Sequence, residues 1–156
     1  MFVSDKLKNY LKDSAMISGN NFYITSLKNV ICFTTSSSCE DMDKPLSREL
    51  LENLLDFSNK ILDSDEPFFF TNEKSKTIPI FEDKHSNIEW NSQIILPIYL
   101  DDRLIGSLIM TSFHKTFYDK HITLAKTIES FTEKFILEYL NKSKKGAIDL
   151  IWINLN

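Results

Sequence analysis

Two cysteines and three histidines are among the side chains of this 156-residue chain that could serve as nucleophiles, redox groups or metal ligands. Cys32 and Cys39 are too few and too close for a disulfide framework or a four-ligand zinc site, so both are expected to be reduced, structural thiols. His85 and His114 sit in polar stretches and His121 opens a helix, and no two have the His-x-x-x-His spacing that binds a metal from one helix face. A lone histidine acts as a catalytic base only beside a nucleophile and an orienting acid, and the sequence places neither. The acidic run at residues 63–66 and the group Glu40, Asp41 and Asp43 read as solvated helix and loop ends. The expectation is a protein without enzymatic activity, metal or cofactor.

Charge narrows the partners. Lys and Arg total 18 against 22 Asp and Glu, a net charge of −4, whereas a nucleic-acid surface shows a basic excess, so no direct nucleic-acid partner is expected. Arg48 and Arg103 are the only arginines, which leaves little for bidentate anion capture. No apolar run approaches the ~20 residues of a membrane span, and residues 1–17 mix acidic and basic groups where a signal peptide would be apolar. A cytoplasmic location with no membrane partner follows. The length suits one domain, placed at residues 1–146, with a tail at 147–156 as a candidate extra strand.

Whatever binds must be positioned by a few recognisable elements. Residues 5–17 carry Leu7, Tyr10, Leu11 and Ser14 at helical spacing, with Ser4 as N-cap and Gly19 just past the end. Residues 21–26 and 30–35 are β-branched and aromatic and predict a first hairpin. Leu50, Leu51, Leu54, Leu55, Ser58, Ile61 and Leu62 make one helical stripe behind the N-cap Ser47. Residues 68–71 and 77–81 predict short extended pieces, the second made irregular by Pro79. Residues 119–141 predict a long final helix.

Between them runs QIILPIYLDDRLIGSLIMTS, residues 93–112, a hairpin apolar on both faces. A two-residue Asp101-Asp102 turn sets Leu100 opposite Arg103, and regular pairing then sets Ile98 against Ile105, Pro97 against Gly106 and Ile94 against Ile109. That register puts Ile94, Leu96, Ile98, Ile105 and Ile109 on one face and Ile95, Tyr99, Leu104, Leu108 and Met110 on the other. Both faces must therefore be covered, by helices on one side and a second layer on the other. Pro97 demands an interrupted ladder beside it, and Gly106 leaves a hollow where a ring, helix or ligand can approach the backbone.

This element order, with Pro97-Ile98, Asp101-Asp102 and Ile105-Gly106-Ser107-Leu108 ahead of a long amphipathic helix, resembles the GAF family of small-molecule sensor domains, and within it the C-terminal GAF-like domain of the SpoVT sporulation regulators. The resemblance implies an α+β, PAS-like fold: an antiparallel sheet with helices packed on one face and loops or a pocket on the other. It also implies a pocket between the sheet and the middle of the chain, with Tyr23, Cys32, Phe68, Phe70, His85, Trp90, Tyr99 and Phe113 as candidate ligand-binding residues. On that basis the chain is expected to bind a small metabolite in regulatory or sporulation signalling, and a last helix longer than a sheet of short strands can cover adds the expectation of a homodimer through the terminal helices. Two alternatives are a ligand-free interaction or dimerisation module whose aromatics fill their own pocket, and a free methionine sulfoxide reductase of the GAF type using loop cysteines, against which stands the placement of Cys32 in a strand.

Overall fold

In the computed structural model, residues 4–27, 30–34, 45–64 and 66–142 are described. The tail expected at 147–156 lies outside them, as does Cys39. Helix α1 (Asp5–Ser18) starts where the Ser4 hydroxyl accepts the Leu7 N–H at 3.2 Å and stops where Gly19, at φ 72°, donates its N–H to the Ala15 carbonyl. Strands β1 (Asn21–Ser26) and β2 (Val30–Thr34) follow. Helix α2 (Arg48–Leu62) is capped by Ser47, which accepts the Leu50 N–H at 3.0 Å. The middle of the chain gives β3 (Phe69–Thr71), β4 (Ile78–Pro79) and β5 (Asn87–Ile88). Strands β6 (Ser92–Leu100) and β7 (Arg103–Ser112) form the long hairpin, and α3 (Asp119–Lys142) closes the described chain. The β4–β5 pair is new relative to the sequence reading, which predicts an extended piece at 77–81 but none at 87–88.

Strand order in the five-stranded sheet is β2-β1-β7-β6-β3, antiparallel throughout. One face carries Phe22, Ile24, Ile94, Leu96, Ile98, Leu108 and Met110 and is covered by α1 and α3. The other carries Tyr23, Ile95 and Ile109 and is covered by α2 together with Ile78, Ile80, Ile88 and Trp90 from the middle segment. The fold is thus α+β on an antiparallel sheet, and its second layer contains a helix as well as loops. Each fully buried aliphatic or aromatic side chain contributes about 2 kcal/mol, so both layers are needed to hold the sheet.

The hairpin register differs from regular pairing. Asp101 and Asp102 both have positive φ, 50° and 63°, the pair of left-handed residues that a primed turn requires, and Leu100 faces Arg103 as expected. Tyr99 then pairs with Leu104 but Ile98 pairs with Gly106, leaving Ile105 as the extra residue of a β-bulge. Pro97 consequently faces Ser107, not Gly106, and Ile94 faces Met110. One added residue moves every later side chain of β7 to the opposite face. Leu108 and Met110 therefore join Ile94 and Leu96 under α1 and α3, while Ile109 joins Ile95 under α2. Pro97 has its interrupted ladder, because β3 pairs no further along β6 than Ile95. The hollow expected at Gly106 is filled by a neighbouring strand: a Cβ there would stand 1.9 Å from the Thr25 carbonyl oxygen of β1.

Where the bulge disturbs the hairpin, α3 takes over. The Tyr99 N–H donates to Glu133 Oε1 at 2.9 Å. Glu129 lies one helical turn earlier, half-buried, and its carboxyl hydrogen-bonds to Glu133. Burial and the adjacent Glu133 push the Glu129 carboxyl up to about 8, so near neutrality it keeps a proton.

Two outcomes are expected. Gly106→Ala should cost about 3 kcal/mol in urea denaturation, since backbone against backbone cannot yield cheaply; an unchanged midpoint would contradict the close β1–β7 approach. Glu129 binds a proton in the folded state that the unfolded chain releases near the ordinary value of 4.5, so its contribution is present at low pH and is lost as pH rises toward about 8. Glu129→Gln should accordingly flatten the stability profile across that window and raise stability at its alkaline end by ~1 kcal/mol, a figure reduced for partial exposure. Parallel profiles for the two proteins would refute the assignment.

Candidate functional site

The eight residues proposed for the pocket are divided by the sheet. Tyr23 and Trp90 meet beneath α2, both fully buried, with ring centroids 6.0 Å apart and nearly perpendicular. Phe57 of α2 adds an edge contact to Trp90 at 5.6 Å, and Phe113, half-buried, packs against the same cluster. Phe68 and Phe70 lie on the opposite face, in the cluster under α1 and α3, because alternation along β3 sends Phe69 and not its neighbours toward α2. Tyr99 is 47% exposed near the hairpin tip. His85 is exposed in the β4–β5 connection, where its N–H donates to the Asp83 carboxylate at 3.1 Å. Cys32 occupies β2 opposite Ile24. Of the seven whose side chains are described, Tyr23, Trp90 and Phe113 are thus brought together.

The centre of the α2 face is occupied by the protein's own side chains. Burial pushes the Tyr23 phenol up to about 12, and the opposing hydrogen bonds of Trp90 and Thr111 do not offset it, so this hydroxyl stays neutral. Beside it the Thr25, Ser58 and Ser107 hydroxyls form a closed buried triangle with sides of 2.6, 3.0 and 3.1 Å. Each of these three hydroxyls is partnered by the other two, and the triangle ties α2 to β1 and β7.

Openings lie around the middle segment. A groove of about 680 Å³ is lined by Ile80, Phe81, Ile88, Phe113 and His114, and a Lys74–Glu89 ion pair of 2.9 Å stands at it. The hydrogen bond from Lys74 is the main reason the Glu89 carboxyl sits below its ordinary range. A second opening, about 440 Å³, separates α2 from residues 73–78. Its α2 wall is the stripe Glu49, Asn53, Phe57 and Lys60, residues that share one helix face. At its base is Gln93 of β6, 4% exposed, whose Oε1 is buried with no hydrogen-bond partner among the described residues. An unmade bond at a buried carboxamide costs about 1–3 kcal/mol, so this oxygen is a place where a ligand's N–H or O–H would be rewarded. Gln93 was missing from the sequence-derived residues. Its signal was a polar side chain sharing the inward register of Ile95 at the start of an otherwise apolar strand.

Among the described residues, no group of three or more His, Cys, Asp or Glu side chains could hold a metal ion. His121 accepts the Tyr118 N–H at Nδ1, 2.9 Å away, and so caps the start of α3; burial first, then Lys120 and Lys115, hold its pKa below the ordinary value. No described helix is long and apolar enough to cross a membrane.

Neither a protein-family model nor a curated protein matches this chain. Among solved structures it is similar to the free methionine-R-sulfoxide reductase from Neisseria meningitidis, at a TM-score of 0.51 and 15% identity over 88% of this chain and 81% of that one. It also aligns with the cofactor-binding GAF domain of the nutrient sensor CodY from Clostridium difficile, at 0.48 and 15% identity over 85% and 83% of the two chains. A third alignment, at 0.46 and 11% identity over 88% and 94%, is with GAF3 of Slr1393 from Synechocystis. The first of these shares the fold, and it is of the GAF type named above. The fold is therefore GAF-like, which by itself assigns no chemistry.

Proposed function

We propose that this chain is a non-enzymatic, cytoplasmic sensory or regulatory domain of the GAF kind, which binds a small polar molecule in the cleft between α2 and residues 73–78 and pairs with a second copy through α1 and α3. The observation that carries the binding half is Gln93: a buried carboxamide oxygen, without a hydrogen-bond partner among the described residues, in the lining of an open cleft. The pairing half is supported by apolar side chains left in solvent on the terminal helices, Met16 and Ile17 of α1 and Phe131 and Leu137 of α3. A role in sporulation signalling follows only from the likeness of the hairpin to the SpoVT domain.

A second reading, the ligand-free interaction module, is favoured by the filled centre of the α2 face, where Tyr23, Trp90 and Phe57 occupy the space a buried metabolite would need. The reductase reading has less support: it requires loop thiols, and Cys32 stands in β2.

Thermal-shift screening of small polar metabolites separates the first two readings, because a ligand bound only by the folded state raises its melting temperature. At least one compound is expected to shift the native protein. Gln93→Leu should abolish that shift while raising intrinsic stability by ~1 kcal/mol, since an apolar residue of similar size removes the unmet hydrogen bond. An equal shift in the variant would place the ligand elsewhere, and no shift from any compound would favour the ligand-free module. For the pairing, sedimentation at tens of micromolar should give a dimer that Phe131→Glu converts to monomer; a native monomer would end that part of the proposal.

A further inference from the structure

The charges around the Gln93 cleft narrow what could occupy it, granted that the cleft binds a ligand at all. Five charged side chains line it: Glu49 and Lys60 from α2, and Glu73, Lys74 and Lys76 from the facing segment. Lys74 is committed to Glu89 at 2.9 Å. The other four make no ion pair among the described residues, which leaves two carboxylates and two ammonium groups unmatched. A simple cation would be opposed by Lys60 and Lys76, and a simple anion by Glu49 and Glu73. An apolar molecule would strip water from all four and still leave Gln93 without a donor. A zwitterion with hydrogen-bond donors answers every group.

The helix sets the distance between its charges. Glu49 and Lys60 stand at opposite ends of the α2 stripe, about 16 Å apart along the axis at ~1.5 Å per residue. Glu49 is in the first turn of α2, and the Lys60 ammonium is held over the Phe57 and Phe69 rings at 5.7 and 5.0 Å. A free α-amino acid places its two charges on neighbouring atoms and cannot reach both ends. An extended peptide adds about 3.5 Å per residue, so two or three residues, with the side chains of Glu49 and Lys60 leaning inward, span the interval. Its internal amide N–H groups then lie along the cleft, which Gln93 also lines.

We infer that the cleft between α2 and residues 73–78 is a site for a short free peptide of two or three residues, its α-ammonium toward Glu49, its α-carboxylate toward Lys60 and an internal N–H on Gln93. Recognition is by the two termini and the backbone, a mode that suits a sensor of peptides in general over one particular sequence.

Calorimetric titration of the full chain with alanine, Ala-Ala, Ala-Ala-Ala and N-acetyl-Ala-Ala-amide tests this. Ala-Ala or Ala-Ala-Ala should bind at least tenfold more tightly than alanine or the doubly capped form. Glu49→Gln and Lys60→Gln should each weaken that binding about tenfold, both being exposed positions where the fold is not at stake. Equal binding of the capped peptide, or of alanine, would overturn the inference and leave the small-molecule reading intact. So would an absence of peptide binding in a protein whose melting temperature another metabolite shifts. If neither peptides nor any screened metabolite binds, the sensor reading falls with it.

Discussion

The contact between Gly106 and the Thr25 carbonyl is the constraint on which the rest of this structure depends. It brings the backbone of β1 against β7 more closely than any side chain would allow, and it does so at the residue where the β6–β7 register slips. The slip decides which of Leu108, Ile109 and Met110 faces which layer, so the two cores are sorted by one inserted residue, Ile105. Because β7 is the central strand, with β1 on one side and β6 on the other, any error at Gly106 would be passed to both neighbours. The hydroxyl triangle of Thr25, Ser58 and Ser107 then couples the same point to α2, which forms one wall of the candidate cleft.

Local signals in the sequence were sufficient for most of the elements. Ser4 and Ser47 mark helix starts through a hydrogen bond made within three residues, Gly19 marks a stop through its own backbone, and Asp101-Asp102 marks a turn through two tolerated left-handed conformations. The bulge was not legible, because it answers to a strand some eighty residues away in the chain. Until β1 is known to pair Ser26 with Gly106, regular alternation is the better expectation for β7. The β4–β5 ladder was missed for a related reason: its two-residue strands carry too little pattern to be read without their partner.

The site was legible as a region and not as a set of residues. Placing the middle segment over the sheet was enough to bring Tyr23, Trp90 and Phe113 to one face, but aromatic character says nothing about which side of β3 a phenylalanine occupies, and alternation sent Phe68 and Phe70 to the other. Gln93 was overlooked because its importance lies in a bond it does not make. A sequence shows which polar groups exist; only the arrangement of neighbours shows which of them has been left without a partner.

The short third strand has a consequence for how this molecule behaves in a crowd. Among the described residues no strand lies beside the outer edge of β6 beyond Ile95, and an unpaired edge is a template on which a foreign strand can grow. Pro97 removes an N–H from this stretch, the Ile105 bulge of β7 increases the local twist opposite Ile98 and Tyr99, and Glu133 has already claimed the Tyr99 N–H. A proline that looked like a concession to the hairpin thus also takes a donor away from an edge on which a foreign strand could grow.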